Sequence, residues 1–330
     1  MFIAPAVAGD AVYIGSCSGV FYAFESSTGT VLWQHDTKTD GPSAQFHGDA
    51  LVTEELVIVG SDARPVAQLY AFERAGGAVR WKHAFPFGVM VDLKRFGNSV
   101  LVASVNSEVA AFDISTGEVL WWSPSGLETS PQSPPVDPVL ADGSYYVAWR
   151  TGHLDAYDAT TGTLSWRREL PATPNSSLVT VDDDLVLGTM AGTLLSLGRS
   201  SGDVLAELPL GGYIYGELVP TADCILALVA PPEGERAPGH SLVCAAPDLS
   251  GVRWRHTSEV PGSFGTFDPL VVGDLVIVGP KGELQAVSMT DGALLWTRPI
   301  DGLPRGLANS GSTLYVGTIG GLVLALPWAP

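Results

Sequence analysis

Ala111-Phe112-Asp113-Ile114-Ser115-Thr116-Gly117-Glu118-Val119-Leu120-Trp121 joins the end of one apolar strand, a Thr-Gly turn and a second strand that closes on Trp. The same offsets return in Ala156-Tyr157-Asp158, which runs through Thr161-Gly162 to Trp166. Ala23-Phe24-Glu25 through Thr28-Gly29 to Trp33 is a third copy, and Ala71-Phe72-Glu73 through Gly76-Gly77 to Trp81 a fourth. Looser copies run from Ala286-Val287-Ser288 through Asp291-Gly292 to Trp296, and from Ser250-Gly251 to Trp254 with one residue fewer. A seventh, Ser201-Gly202, leads to Ala206 where the Trp belongs. These end positions, 33, 81, 121, 166, 206, 254 and 296, recur every 40–48 residues, which is the length of a propeller blade.

Within the first unit the order is Pro5-Ala6-Val7, a Gly9-Asp10 turn, the strand 11–15, a Ser18-Gly19 turn, the strand 20–24 and the Trp strand 31–33. That is a four-stranded antiparallel meander. No segment keeps helical spacing of apolar residues over three turns. The predicted fold is all-β, an eight-bladed β-propeller forming one domain over residues 1–330, with blades at 1–36, 37–84, 85–124, 125–169, 170–209, 210–257, 258–299 and 300–330. The eighth unit supplies Thr313-Leu314-Tyr315-Val316-Gly317 and Leu322-Val323-Leu324-Ala325-Leu326 but no Trp strand. It is expected to be three-stranded or completed by the first residues, with a segment of a longer protein as the alternative.

Each repeated residue has a physical reason. Gly117 and its equivalents permit the positive φ of a tight hairpin. Asp113, Asp158, Glu25 and Glu73 stand where a side-chain oxygen satisfies turn amides. A Trp returning at one place in six units, Trp33, Trp81, Trp121, Trp166, Trp254 and Trp296, reads as wall packing between neighbouring sheets, its N–H meeting a backbone acceptor.

The 330 residues carry 35 acidic against 17 basic side chains, a formal net charge of -18. Such a field repels phosphate polymers and anionic lipid, so nucleic acid is excluded as a partner. No stretch is long and apolar enough for a membrane helix, so no direct insertion is expected, and the propeller is read as monomeric. Residues 1–5, Met-Phe-Ile-Ala-Pro, have no charged leader before a long apolar run, so no export signal is read from them. Cys17, Cys224 and Cys244 lack metal or redox spacing. A Cys224–Cys244 bridge is conceivable across neighbouring strands, but buried free thiols are the preferred expectation.

The Ala-x-Asp-x-x-Thr-Gly-x-x-x-Trp pattern resembles the pyrroloquinoline-quinone-like propeller repeat family over essentially the whole chain. That family includes quinone-dependent alcohol dehydrogenases, a lipoprotein scaffold of outer-membrane barrel assembly and sensor domains of bacterial kinases. Its dehydrogenases carry adjacent paired cysteines, a metal held by acidic and Asn side chains and a catalytic Asp. No two cysteines are adjacent here, and no C-x-x-C-H haem motif occurs. The resemblance therefore implies no cofactor, no metal and no catalytic residue, and points towards the scaffold and sensor members.

No phosphate loop, H-E-x-x-H, G-x-S-x-G or EF-hand loop is present. His35, His83 and His256 each follow a blade Trp by two residues, a strand-end position that reads as structural. Partner sites of propellers lie where loops converge on the channel. The connections from each Trp strand to the next unit, 40–47, 85–95, 124–138, 210–217 and 260–267, are the most irregular stretches. Phe46, His47, Phe87, Tyr213, Tyr215, Phe264 and Phe267 in them are the candidate partner or ligand contacts, channel filling being the alternative. The polar insertion 231–238 reads as a surface loop. The expected function is a non-catalytic scaffold that binds a protein or peptide. A ligand-sensing module taking a small molecule, or an enzyme using channel residues (a degenerate quinoprotein, lyase or isomerase), stands as the alternative.

Overall fold

Strands covered on both faces need no polar alternation, and the second strands of the repeats, such as Ala11–Gly15, Leu56–Gly60 and Ser99–Ala103, are buried at every position. In the computed structural model, which describes residues 4–41, 45–63, 66–86, 88–127, 134–231, 239–261, 264–266, 268–319 and 321–328, these strands lie inside small sheets that cover one another. Seven sheets have four strands in sequence order and one has three. All pairings within them are antiparallel with simple up-and-down connections, at 6–36, 51–86, 94–124, 139–169, 179–209, 213–257, 270–299 and 304–327. A 3-10 turn, Thr37–Thr39, is the one helical element among the described residues. No described helix is long and apolar enough to cross a membrane.

The Trp strands act as expected. A Cβ added at Gly77 of blade 2 would lie 2.5 Å from the Trp33 ring of blade 1, and one at Gly117 of blade 3 would lie 2.6 Å from Trp81 of blade 2. Gly162 meets Trp121 in the same way, Gly202 meets Trp166, and Gly292 meets Trp254. Each of these glycines has φ between 69° and 74°, so the hairpin needs glycine for its backbone and again for the ring above it. The indole N–H groups donate to backbone carbonyls of the next blade: Trp33 to Arg74 at 3.0 Å, Trp81 to Ile114 at 2.8 Å, Trp121 to Ala159 at 3.1 Å and Trp254 to Met289 at 2.8 Å.

A β-bulge accompanies each Trp position. The pairing of third and fourth strands shifts register just after the residue opposite the Trp, as between Ala23 and Phe24 or Ala111 and Phe112. Bulges add local twist, which turns the outer strand towards its neighbour. Trp296 departs from the rule, since among the described residues blade 8 has no hairpin after its third strand for the ring to cover. It packs half-buried with Ile300, Leu324, Leu326 and Trp328, and the Arg298 guanidinium lies 5.6 Å from its ring centre. At Ala206 the ring is missing, and the facing hairpin of blade 6 has Leu249 rather than a glycine at positive φ, 53°. A hollow of about 700 Å³ lies between the hairpins of blades 5 and 6, lined by 181–184, 246–248 and 250–253.

The acceptor role of the turn carboxylates holds for two of four. Asp113 takes the amides of Ser115 and Thr116, both at 2.9 Å, and Asp158 those of Thr160 and Thr161 at 3.0 and 2.8 Å. Glu25 instead accepts from the Thr28 hydroxyl and Glu73 pairs with Arg80. Their extra methylene carries the carboxylate past the turn amides. Blade 8 has three strands among the described residues, and its Val323 joins the core of blade 1, closing the ring.

The free-thiol expectation is overturned. Cys224 and Cys244 form a disulfide in blade 6 with Cα atoms 5.4 Å apart, and Cys17 is the free cysteine. Leu226 is the residue directly opposite Cys244, so the bridge runs diagonally between paired strands, at a Cα separation within the range for cystine.

Two outcomes follow from these contacts. Trp121→Ala lowers unfolding free energy by about 3 kcal/mol, the cost of a large-to-small change at a packed aromatic; denaturant titration measures it. Replacing Cys224 and Cys244 together by Ala costs about 3 kcal/mol, the loop-closure value for a crosslink of about twenty residues, and reductant produces a matching drop in the parent protein only.

Candidate functional site

Every fourth strand leads by a connection into the innermost strand of the next blade, so these connections converge at one end of the channel. There they surround a cavity of about 530 Å³, whose walls include His47, Arg150, Tyr213, Tyr215, His240 and Arg305.

Five carboxylates from five blades line the same cavity: Asp49, Asp92, Asp137, Glu217 and Asp268. Three of them tie neighbouring blades. Asp49 accepts the amide of Ala4 at 2.8 Å, Asp92 that of Asp49 at 3.0 Å, and Asp137 that of Asp92 at 2.9 Å. Each carboxylate thus satisfies an innermost-strand amide that has no strand beyond it to pair with. In blade 5 the place falls to Ser177, whose hydroxyl accepts the Leu218 amide at 2.9 Å.

Five acids in one narrow channel do not ionise freely. Burial, joined by the charge on Asp92, pushes Asp137 up to about 7, and the same two causes push Glu217 up to about 8. Asp49 and Asp268 are also raised well above the ordinary carboxylate range, first by burial and then by their acidic neighbours. Lys94 approaches Asp92 at 3.6 Å.

Above the ring, Arg150 donates to the Asn175 side chain at 2.5 Å, and Asn175 donates to the Ile214 carbonyl at 2.7 Å. Arg305 donates to the Gly265 carbonyl at 3.3 Å. The Tyr215 hydroxyl and His240 Nδ1 are 2.7 Å apart, with the His240 ring edge-on to Phe264 at 6.5 Å. Burial lowers the pKa of His240, keeping its imidazole neutral, and raises that of the Tyr215 phenol. Among the described residues no group of three or more His, Cys, Asp or Glu side chains has the geometry to hold a metal ion.

The candidate contacts separate on this frame. Tyr213, Tyr215, His47 and Phe264 line the channel cavity. Tyr213 is half-buried, and Tyr215 and Phe264 show little beyond a ring edge. Phe46 is fully buried, 5.4 Å from Phe21 in the wall between blades 1 and 2, so its ring fills the wall and presents nothing to the mouth. Phe87 and Phe267 lie outside the described residues, as does 232–238 of the polar insertion. His35 and His256 lie near strand ends, whereas His83 lies inside the strand Val79–Pro86: His35 meets Asp40 at 2.6 Å, His83 packs on Phe112 at 4.8 Å and His256 meets Gln285 at 3.0 Å.

The carboxylate ring escaped the reading of the sequence. Its signal was an acidic residue in the connection into, or within, the innermost strand of five of the eight blades, in Gly48-Asp49, Val91-Asp92, Val136-Asp137, Gly216-Glu217 and the residue pair ending in Asp268. The spacing is broken at blade 5, where Ser177 stands, and most of it sits in the irregular connections.

Comparison with known proteins agrees with this architecture. A family model described as outer membrane protein assembly factor BamB matches residues 2–84 and 66–213. The outer membrane protein assembly factor BamB of Yersinia pestis is 25% identical over 174 residues, 49% of this chain and 42% of that protein. Its counterpart in Bordetella pertussis is 25% identical over 300 residues, 88% of this chain and 74% of that protein. The chain spans about half the length of several of these curated relatives. The crystal structure of BamB from Moraxella catarrhalis superposes with a TM-score of 0.76 at 17% identity, covering 99% of this chain and 96% of that one, a likeness of fold.

The raised carboxylates set a pH dependence. Between the ordinary carboxylate value and about 7 to 8, the folded protein holds protons that the unfolded chain has released, so stability is greatest at low pH within that window and is lost as pH rises through it. Melting temperature is therefore expected to fall from about pH 5 to about pH 8. Asp137→Asn and Glu217→Gln flatten that slope and raise the melting temperature at the alkaline end.

Proposed function

Because the chain belongs to the outer membrane protein assembly factor BamB family, whose model matches it from residue 2 to residue 213, we propose that it is a non-catalytic propeller scaffold that binds a protein or peptide partner by the loops at the channel mouth. The partner, on this reading, is a polypeptide engaged in outer-membrane protein assembly.

The observation that carries the reading is the use made of the ionisable groups. Asp49, Asp92 and Asp137 are occupied in joining inner strands, and the His240–Tyr215 pair is walled in by aromatic rings. A general acid or base must reach a substrate proton, and a carboxylate spent on a backbone amide is poorly placed to do so. What the mouth offers instead is a rigid concave platform with an aromatic, Tyr213, and the cations Arg150 and Arg305, the residue types that anchor protein interfaces. Eight blades sharing one ring hold that platform without further ordering cost.

The convergence of polar groups on the channel cavity favours a second reading, a small molecule held in the channel for a signalling partner. A thermal-shift screen of small anions and metabolites tests it, since a ligand of the folded form alone raises the melting temperature.

The principal test places a photo-crosslinking benzoylphenylalanine at position 213 and, separately, at position 182 on the opposite hairpin end, in cells of the native host. A discrete adduct with a protein of outer-membrane assembly is expected from position 213 only. Tyr213→Ala combined with Arg305→Ala weakens that capture by about tenfold or more, the effect of losing interface anchors. Adducts formed from 182 and not from 213 place the partner elsewhere and end the proposal.

A further inference from the structure

Two partly buried arginines show what a guanidinium ordinarily needs in this fold. Arg167 forks onto Asp155 with Nε and Nη2 each at 2.6 Å, and its Nη2 also donates to the Ser125 carbonyl at 2.9 Å. Arg74 donates Nε to the Tyr13 hydroxyl at 3.1 Å and its terminal nitrogens to the carbonyls of Thr53 at 3.4 Å and Ala8 at 2.8 Å.

Arg150 departs from that pattern. Its Nη1 donates to the Asn175 side chain at 2.5 Å, its one hydrogen bond among the described residues, and its buried Nε has no partner. It forms no ion pair among those residues either. Burial weighs against the cation, and Asp137 acts on it only as a charge at longer range. A desolvated charged donor left unbonded is costly, and native structures rarely keep one without a ligand, ion or water to meet it.

The group is held in place from both sides. Arg150 follows Trp149, which is fully buried and donates its indole N–H to Asp155 at 2.9 Å, and the Gly152 amide closes the turn on the Trp149 carbonyl at 2.8 Å. Asn175 takes Arg150 on its oxygen and donates its amide group to the Ile214 carbonyl at 2.7 Å. The guanidinium lines the channel cavity with Nη1 fixed and the edge formed by Nε and Nη2 unused. That edge carries two parallel N–H groups, the fork that matches the oxygens of a carboxylate. Arg305, from blade 8 across the ring, adds a second positive charge to the cavity wall.

The acids of the floor do not bar such a group. Burial and then neighbouring charge push Asp137 up to about 7 and Glu217 up to about 8 and raise Asp49 and Asp268 well above the ordinary range, while Asp92 has Lys94 at 3.6 Å. At about pH 6 the four raised acids are largely neutral and able to donate to a monoanion. A sulfate would bring a second charge among them.

We propose that Arg150 anchors an anion seat in the channel, one that takes a single carboxylate group on its unbonded edge. The source is a free small carboxylate or an acidic side chain of a bound polypeptide, and the chemistry at Arg150 is the same for both. The seat lies in the walls of the channel mouth but rests on the unbonded guanidinium, so it stands or falls separately from the scaffold reading.

The test follows the Arg150 Nε–H resonance of the whole nitrogen-15-labelled protein at about pH 6, identified by its loss in Arg150→Lys. Butyrate at constant ionic strength is expected to move that resonance saturably and to raise the melting temperature. The capped peptide acetyl-Gly-Glu-Gly-amide, whose side chain is its only carboxylate, is expected to produce the same shift. Tighter binding of the peptide assigns the group to a polypeptide, and tighter binding of butyrate assigns it to a free carboxylate. Sulfate and the corresponding Gln peptide bind about tenfold or more weakly, the loss of a charge-assisted pair. Arg150→Gln abolishes the rise in melting temperature with near-ultraviolet circular dichroism unchanged, and Arg150→Lys, which keeps the charge without the fork, weakens binding by about tenfold. A resonance that ignores both carboxylates, sulfate binding as tightly as butyrate, or an equal rise in melting temperature in Arg150→Gln overturns the proposal. None of these outcomes depends on a crosslink from position 213.

Discussion

An indole ring lying flat on a glycine of the next blade is the contact on which this molecule depends. A single four-stranded meander hides only part of its apolar surface, and isolated sheets of that size are barely stable. The Trp of one blade covers the hairpin of the next and donates its N–H there, so each junction carries both burial and direction. Repeated around a ring, that contact turns eight marginal sheets into one body, in the manner of repeat proteins whose stability is a sum over interfaces.

The inner side of the ring is held by a different device. Innermost strands have no neighbour towards the channel, and their leading amides would face it unpaired. Asp49, Asp92 and Asp137 each reach across to one such amide. Gathering acids this way raises the proton affinity of Asp137 and Glu217, so the device that closes the channel also makes the closure sensitive to pH. The mouth above it is consequently rigid and acidic at its floor, with arginine and tyrosine at its walls.

The architecture was legible because its period lies in residues with few substitutes. Only glycine tolerates both a positive φ and a ring against its α-carbon, and only a large flat donor fills the junction, so Gly117 with Trp121 and Gly162 with Trp166 announce themselves. Ala206 was legible as a break in that period. The site was less legible. Tyr213, Tyr215, His47 and Phe264 reached the cavity as their loops suggested, yet Phe46 turned into the wall. An irregular loop fixes where a residue enters the fold but not which way its side chain turns.

From residues alone, then, came the all-β class, the blade period, the inter-blade Trp and the incomplete eighth sheet, since each follows from local backbone geometry and strand patterning. Tertiary structure alone decided the pairing of Cys224 with Cys244 and the carboxylate ring. These join positions 20 to about 220 residues apart in the chain. Contacts across such separations depend on how the sheets are arranged about the axis, which no local pattern records.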